Sequence, residues 1–365
     1  MRPLINAKRG DTSAVQIGAL VPLTRPGWVE AGRHLLAGLE LAVADINDAG
    51  GINGKSLELI VRDSAADPLK ASAAVDELAA LGVVALAGEY HSVVARAAAA
   101  RAEAIGLPFL CSSAVIDALT EQPSRWVARL PPPQSRGWRV YAEHLLQAGH
   151  KRIAVASQPS VYWASGIQIL RDHLGPQGAT LIELSSLESS SICDELAATH
   201  ATALLLLVGY PEPAVPIVLA VRKDARLTDL LIGAPAGQPE LAEWTKLLGE
   251  QGAAIPFLRY LPERLSPVGQ RAEAALQERL GVTPSFVAFE GYDTITVIAQ
   301  MIQTYGEDRA KVADAWPQVV VEGTRGTIRF SRVPGISVWQ WASAPVQVAD
   351  RDPADTTRFR VLRSD

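Results

Sequence analysis

The sequence predicts an α/β protein made of two doubly wound lobes, each built on a parallel sheet. Short apolar runs of strand length alternate along the chain with longer segments of helical periodicity. The alternation stops at 129–133, a proline-rich stretch typical of a stiff connector, and then resumes. Of the 365 residues, 48% are hydrophobic, which is more than one small core requires. Because strands separated by crossover helices pair in parallel, we expect one sheet on each side of the connector.

The strands predicted before the connector are 15–22, 57–61, 82–87 and 107–111. The first suits a strand that is buried on both faces, and the helix at 30–48 follows it with apolar residues at helical spacing. The next helix begins at Asp67-Pro68, where a capping side chain precedes a proline at the first helical position. An Ala-rich helix follows the third strand and runs to Arg101.

The same alternation continues after the connector. The predicted strands are 153–156, 180–184, 202–208 and 230–233. The predicted helices between them are 134–148, 165–174, 213–224 and 238–249. Two further helices, 266–280 and 286–304, precede a strand pair at 326–330 and 336–341. Periodicity alone does not say which lobe these last elements join.

Composition and motifs exclude several classes of function. The net charge is -5, and no Lys/Arg-rich run indicates a nucleic-acid partner or a membrane-surface helix. The longest nearly pure apolar run, 201–208, is far shorter than the roughly 20 residues of a spanning helix, so we expect no membrane insertion. The chain has no phosphate-binding glycine loop, no Gly-x-Ser-x-Gly elbow and no His or Cys at metal-ligand spacing. We therefore expect no enzyme, no cofactor and no metal.

The first residues and the cysteines bear on the compartment. Residues 1–12 lack the apolar core of a secretory signal, so either a targeting segment is absent from this chain or the protein acts in the cytoplasm. Cys111 and Cys193 fall on opposite sides of the connector, where a disulfide would lock the two lobes together. We expect two free thiols.

Several stretches of the sequence carry a family resemblance. They are IGALVPLT at 17–24, GLELAVADINDAGGINGKSLELIVRDSAADPLKA at 38–71, GVVALAGEYHSVVARAAAARAEAIGLPFLCSSA at 82–114, LLLLVGYPEP at 204–213, FEGYDTITVIAQ at 289–300 and GTRGTIRFSRVPG at 323–335. In these stretches the chain resembles the type I periplasmic binding proteins of the branched-chain amino acid and amide–urea family. The resemblance covers most of the chain in the expected order.

The resemblance implies a connectivity that periodicity does not give. The chain is expected to cross between the lobes three times, near 130, near 260 and near 334. Lobe 1 would then hold 14–130 and 262–333, and lobe 2 would hold 131–261 and 335–350, with terminal extensions at 1–13 and 351–365. The ligand would lie between the lobes, at the carboxyl ends of the strands, as open α/β sheets require.

The resemblance also implies a function. We expect a solute-binding receptor that closes around a small polar or aromatic molecule: an amide, a carboxylate or an amino-acid-like compound. Its partner would be the membrane permease of an ABC transporter, and its place would be extracytoplasmic. The alternative is a cytoplasmic ligand sensor or regulatory domain of the amide-sensor type. A hydrolase on the same scaffold is disfavoured because no nucleophile with a base is visible.

Four candidate ligand contacts lie in lobe 1. Ser92 matches a family position that contacts the ligand carboxylate or amide at a helix start, and its alternative role is an ordinary N-cap. Tyr90 resembles the aromatic residue of amide and urea binders, or else packs on lobe 1. Ser113 follows a strand where the family donates hydrogen bonds, or is a polar loop residue. Val115 replaces a family Thr and retains only its N–H. His91 is expected to be structural or solvent-facing.

Three candidates from lobe 2 are aromatic. Tyr162 and Tyr210 match family tyrosines that close over the ligand, and a tyrosine offers an apolar face with a polar tip. Trp163 stands where glycine is common, so it either adds bulk to this wall or packs within lobe 2.

The eighth candidate, Ala236, bears on the ligand class. Family members that bind α-amino acids have Asp or Glu near this position, where it pairs with the ammonium group. An alanine cannot do so, and a buried ammonium without its partner costs several kcal/mol. Nothing in the sequence places Glu89 or Glu290 in the cleft as a substitute. A neutral amide, a carboxylate without an amine or an aromatic acid therefore fits better than a plain amino acid.

Overall fold

The computed structural model describes residues 14–117, 119, 123–336 and 338–365, so the expected extension at 1–13 lies outside the described residues. The strands are β1 (Val15–Val21), β2 (Leu57–Asp63), β3 (Ala85–Gly88), β4 (Phe109–Cys111), β5 (Val127–Arg129), β6 (Arg152–Ser157), β7 (Thr180–Glu183), β8 (Ala203–Leu207), β9 (Leu231–Gly233), β10 (Phe257–Arg259), β11 (Val320–Gly323), β12 (Gly326–Arg332), β13 (Trp339–Trp341), β14 (Gln347–Asp352) and β15 (Asp355–Ser364). The α-helices are α1 (Val29–Asp48), α2 (Pro68–Ala80), α3 (Ser92–Ile105), α4 (Gln134–Gln147), α5 (Val161–Leu174), α6 (Ser189–Thr199), α7 (Ala214–Lys223), α8 (Ala242–Leu248), α9 (Pro267–Leu280), α10 (Phe286–Tyr305) and α11 (Arg309–Asp314).

The described part of the chain forms three sheets, and two of them are the predicted parallel sheets. The first has eight strands in the order β11-β12-β13-β5-β4-β3-β1-β2, and its pairs from β13 to β2 are parallel. The second has four parallel strands in the order β7-β6-β8-β9. The predicted α/β class with two parallel-sheet lobes is therefore confirmed. In the first sheet β1 lies between β2 and β3, so the carboxyl ends of β1, β3 and β4 meet at one edge.

The third sheet is antiparallel, in the order β10-β14-β15. It contains most of 351–365, the segment that we expected to be a terminal extension. The strand β13 also departs from the expected division, which assigned 335–350 to lobe 2. It stays in the first sheet, because Phe330 and Trp341 pair across β12 and β13 while Trp339 pairs with Ala128 of β5. The third crossing in this structure accordingly lies between β13 and β14.

Neither cysteine is in a disulfide, and no described helix could span a membrane. Cys111, on β4, and Cys193, on α6, are buried free thiols, as expected. Among the described residues no helix has the combination of length and apolar character that a bilayer crossing needs.

Helices α1 and α10 pack together in lobe 1 at very close range. A Cβ atom built on Gly38 would lie 1.8 Å from the carbonyl oxygen of Ala288, and one on Gly291 would lie 2.4 Å from that of Leu35. Only glycine allows two helix backbones to approach so closely. This contact fixes α10 against lobe 1, and α10 carries Phe286 to the cleft.

We expect Gly38→Ala to lower the free energy of unfolding by about 1–3 kcal/mol, because the added methyl group forces α1 away from α10. Urea denaturation monitored by circular dichroism measures this change. The control is Gly175→Ala, where a Cβ atom would meet nothing within 4 Å. Equal stability of the two variants would show that the helices do not touch as described.

Candidate functional site

A cavity of about 630 Å³ lies between the two lobes. Lobe 1 contributes the loop after β1, the turn after β3, the loop after β4 and the start of α10. Lobe 2 contributes the segment around the start of α5 and the loops after β8 and β9. The cavity thus lies at the carboxyl ends of strands from both parallel sheets.

The structure brings seven of the eight predicted site residues together in the wall of this cavity. They are Ser92, Ser113, Tyr90, Val115, Tyr162, Trp163 and Ala236. Their contact with a ligand remains a prediction. The cavity wall also includes four residues that no sequence motif indicated, namely Trp28, Gln158, Tyr260 and Phe286.

The eighth residue, Tyr210, does not line the cavity. Its ring lies 5.8 Å from that of Trp28 and 5.9 Å from that of Trp244, and its side chain belongs to the apolar cluster of lobe 2. The expectation that Tyr210 closes over the ligand is corrected accordingly. Apolar packing directs its ring behind Trp28, and Trp28 faces the cavity in its place.

The start of α3 supplies hydrogen-bond donors. Residues 92–94 line the cavity and form the first turn of the helix, where backbone N–H groups have no partner within the helix. The residue preceding α3 is His91, so Ser92 is not its N-cap. The Oγ atom of Ser92 accepts the N–H of Ile116 at 3.3 Å, which leaves its hydroxyl proton available to the cavity.

The turn that leads into α3 is organised by Glu89. Its Oε1 accepts the N–H groups of Tyr90 and His91 at 2.8 and 2.9 Å, and its carbonyl oxygen accepts the N–H of Ala114 at 3.1 Å. The side chain is fully buried and does not line the cavity. Burial raises the pKa of Glu89 to about 7, although the two N–H groups favour the ionised form. Its role is to hold Tyr90 and His91 in place.

His91 lines the cavity and is not solvent-facing as one of our expectations had it. Its Nε2 accepts the backbone N–H of Trp28 at 3.1 Å, and its ring lies edge-on to those of Trp28 and Tyr90. Burial lowers the pKa of His91 to about 4, so the imidazole is neutral at physiological pH. The neutral ring holds the backbone of Trp28 in position. From the sequence, Trp28 could be predicted only as part of a loop after Pro26-Gly27.

The start of α5 presents two aromatic rings from lobe 2. Ser160 caps this helix, with its Oγ accepting the N–H of Tyr162 at 3.1 Å. The ring of Tyr162 lies 4.7 Å from that of Trp163 and 5.9 Å from that of Trp138. Trp163 is buried and also lines the cavity, and its contact with a ligand stays a prediction.

Behind Ser113 lies a buried cluster of charged side chains. The Oγ of Ser113 is hydrogen-bonded to Oε2 of Glu290, and Arg325 forms ion pairs with Glu290 at 3.2 Å and Asp293 at 3.0 Å. The side chains of Arg325 and both acids have no exposed surface. Burial raises the pKa of Glu290 to about 8, against the opposing charge of Arg325. Neither carboxylate lines the cavity.

No Asp, Glu, Lys or Arg lines the cavity among the described residues. Aromatic rings from both lobes form part of the walls, and the polar groups are hydroxyls, backbone N–H groups, the imidazole of His91 and the side chain of Gln158. Ala236 presents a methyl group where amino-acid binders are expected to have a carboxylate. Such a site can stack a flat apolar body and hydrogen-bond a polar head, but it offers no direct ionic partner to an ammonium group.

Comparison with known proteins gives the family and the fold. The sequence model of the family described as periplasmic binding protein matches residues 14–342. A curated relative, Leu/Ile/Val-binding protein homolog 1 of Brucella abortus, is 35% identical over 80 residues, or 22% of this chain. The match spans about a fifth of that relative's length, at 21%.

Solved structures match over nearly the whole chain. The branched-chain amino acid substrate-binding protein LivJ of Streptococcus pneumoniae, in complex with isoleucine, has a TM-score of 0.81 at 18% identity, covering 97% of this chain and 100% of that one. A solute-binding protein of an ABC transporter from R. palustris, in complex with benzoate, has a TM-score of 0.79 at 18% identity, covering 96% of both chains. These similarities establish the fold.

We expect Tyr210→Phe to leave the free energy of unfolding unchanged or to raise it. The hydroxyl of Tyr210 is buried and has no hydrogen-bond partner in the described part of the chain, and burying an unpaired polar group costs about 1–3 kcal/mol.

The matched control is Tyr141→Phe, because the buried hydroxyl of Tyr141 donates to the carbonyl oxygen of Pro256 at 2.9 Å. We expect this control to lose about 1–3 kcal/mol in the same urea titration. A comparable loss in Tyr210→Phe would mean that Tyr210 has a polar partner and a different orientation.

Proposed function

Since the chain belongs to the periplasmic binding protein family, we propose that it is a solute-binding receptor whose ligand has a flat aromatic body and a carboxylate or amide head. The observation that carries this proposal is the composition of the interlobe cavity. Its described walls hold aromatic rings and uncharged donors but no charged side chain.

The aromatic walls support a flat ligand. Trp28 and Tyr90 come from lobe 1, Tyr162 and Trp163 from lobe 2, and Tyr260 follows β10. Aromatic faces stack well on planar groups, and burial of such surfaces contributes most of the binding energy in pockets of this kind.

The start of α3 supports a polar head that accepts hydrogen bonds. The hydroxyl proton of Ser92 and the free N–H groups of the first helical turn lie together in the wall. The partial positive charge at a helix N-terminus favours a carboxylate or an amide oxygen in this place.

The missing ionic partner argues against an α-amino acid. The similar structures include one in complex with isoleucine and another in complex with benzoate. In this chain Ala236 offers nothing to an ammonium group, whose unpaired burial costs several kcal/mol. The benzoate-like alternative needs no such partner.

Hydrogen bonds between the lobes indicate how the receptor closes. Glu30 of α1 accepts the N–H groups of Ala242 and Glu243 at the start of α8, at 2.7 and 3.0 Å. In the opposite direction, Glu240 of lobe 2 accepts the N–H of Phe286 at the start of α10, at 3.0 Å. Each lobe thus gives a carboxylate to a helix start of the other, and a ligand that contacts both walls favours the same closed arrangement.

The family further suggests a partner and a place. We propose that the loaded receptor delivers its ligand to the permease of an ABC transporter on the outer side of the membrane. The support is that the similar solved structures are substrate-binding proteins of such transporters.

A thermal-shift screen tests the ligand class, with benzoate, 4-hydroxybenzoate, benzamide, urea, leucine and isoleucine as probes. We expect an aryl carboxylate or aryl amide to stabilise the protein by about 2.7 kcal/mol at 100 times its dissociation constant. Leucine and isoleucine should give no such shift, because no described residue of the cavity wall offers an ionic partner for their ammonium group. A shift with the aliphatic amino acids and none with the aryl compounds would contradict the proposal.

Ser92→Ala tests the anchor for the polar head. We expect the variant to bind the best probe of the screen about 1–3 kcal/mol more weakly, because it loses one buried hydrogen bond. Isothermal titration calorimetry measures the affinity. Ser72→Ala is the control, because this serine lies on α2 and donates to the carbonyl oxygen of Pro68 at 3.1 Å, away from the cavity. Equal affinity of the two variants would remove Ser92 from the site.

A further inference from the structure

Ser113 faces two surroundings at once. Its side chain lines the cavity, and its Oγ is hydrogen-bonded to Oε2 of Glu290 behind the wall. A serine hydroxyl has one proton, so it donates in one direction at a time. The direction of that proton decides whether Ser113 offers the ligand a donor or an acceptor.

The cluster behind Ser113 has two carboxylates and one cation. Arg325 donates through Nε to Asp293 at 3.0 Å and through Nη1 to Glu290 at 3.2 Å. Among the described residues no other Lys or Arg forms an ion pair with either acid. Asp293 also accepts the N–H and the hydroxyl of Thr324. Burial raises the pKa of both acids. Because Asp293 has the larger set of donors, Glu290 is the acid of this pair that is better placed to hold a proton.

We propose that Glu290 carries a proton when an anionic ligand is bound, and that this proton makes Ser113 a hydrogen-bond donor toward the ligand. The inference rests on the proposed ligand class. When protonated, Glu290 donates to Oγ of Ser113, whose own proton then points into the cavity. When ionised, Glu290 accepts that proton, and Ser113 presents only lone pairs to the ligand. Glu290 is thus a specificity-determining residue that acts through Ser113.

The groups around Glu290 are consistent with this assignment. Besides Arg325 and Asp293, titratable groups of the described residues that interact with it electrostatically include Tyr90, Tyr260 and Cys111. Burial raises the pKa of both tyrosines well above the usual value and that of Cys111 to about 12, so all three stay neutral near pH 7. The pKa of Glu290, about 8, is raised by its burial.

One further acid near the cavity titrates in the same range. Glu89, on the turn beside Ser113, has a pKa that burial raises to about 7. Its Oε1 is held by the N–H groups of Tyr90 and His91, and no hydrogen bond joins its side chain to Ser113. Its contact with the cavity wall therefore runs through Tyr90 and His91 and not through the hydroxyl of Ser113.

The proposal predicts how pH changes the choice between two nearly isosteric probes. Benzoate only accepts hydrogen bonds, whereas the amide of benzamide also donates. Below the pKa of Glu290, Ser113 donates to benzoate. Above it, benzoate loses this donor and meets a buried negative charge, so its dissociation constant should rise about tenfold per pH unit. Benzamide can instead donate to Ser113, so the ratio of the two affinities should fall as the pH rises.

Calorimetry with benzoate and benzamide, from about two pH units below that pKa to about two above it, measures the ratio. Above the pKa, benzoate binding should also take up close to one proton, which appears as a dependence of the heat on the ionisation enthalpy of the buffer. A constant ratio without proton uptake would overturn the proposal.

Two variants assign the effect to Glu290. In Glu290→Gln the side-chain amide donates permanently to Ser113, so the ratio should keep its low-pH value throughout. In Glu77→Gln, a change at an acid of α2 that pairs with Arg62 away from the cavity, the pH dependence should remain as in the wild type. Dependence that is kept in Glu290→Gln would refute the role of Glu290.

The protonation of Glu290 can also be measured without a ligand, and such a measurement does not depend on the proposed ligand class. Infrared difference spectroscopy of the wild type should show the carbonyl stretch of a protonated carboxyl group at neutral pH, lost as the pH passes the pKa of Glu290. Ser113→Ala should shift the frequency of that band, which assigns it even if Glu290→Gln does not fold. A missing or unshifted band would overturn the proposal. If the band behaves as expected but no aryl probe binds, only the ligand class is wrong.

Discussion

The charged groups nearest the cavity lie directly behind its wall and not in it. Glu89, Glu240 and Glu290 are all buried, and each is hydrogen-bonded to a residue that faces the ligand space. A buried carboxyl group is tolerated only where such partners replace its hydration. The turn before α3, the start of α10 and Ser113 supply these partners, so the same bonds that satisfy the acids also fix the orientation of the wall.

The residues behind the wall hold the aromatic rings of the cavity in position, although no described residue of the wall itself is charged. The neutral ring of His91 holds the backbone of Trp28, and Trp28 in turn packs on Tyr90 and Tyr210. Tyr210 therefore supports the wall from behind, although it does not contribute to it. The site is organised in two layers, with rings and hydroxyls in front and carboxylates, guanidinium groups and packing residues behind.

Much of the fold was predictable from the alternation of short apolar runs with segments of helical spacing. This pattern reflects which residues are buried, and burial decides which segments become strands and crossover helices. The family motifs placed Ser92 and Ser113 at the carboxyl ends of two neighbouring strands. Because such ends meet at one edge of a parallel sheet, both residues lie in the cavity wall. It misplaced Tyr210, since the direction of a ring after β8 depends on packing against Trp244 and the other lobe. Trp28 and Phe286 were missed for the same reason: their positions depend on contacts between segments far apart in sequence.

Contacts between the lobes and contacts in the cavity wall use different groups in this molecule. The lobes are joined by Glu30 and Glu240, each of which accepts backbone N–H at a helix start across the gap. The cavity wall instead presents rings and hydroxyls, and a hydroxyl has a single proton that can turn either way. On the proposal made for Glu290, the acid behind Ser113 sets the direction of that proton. We therefore infer that selectivity depends on a proton in the second layer, while the shape of the first layer stays the same.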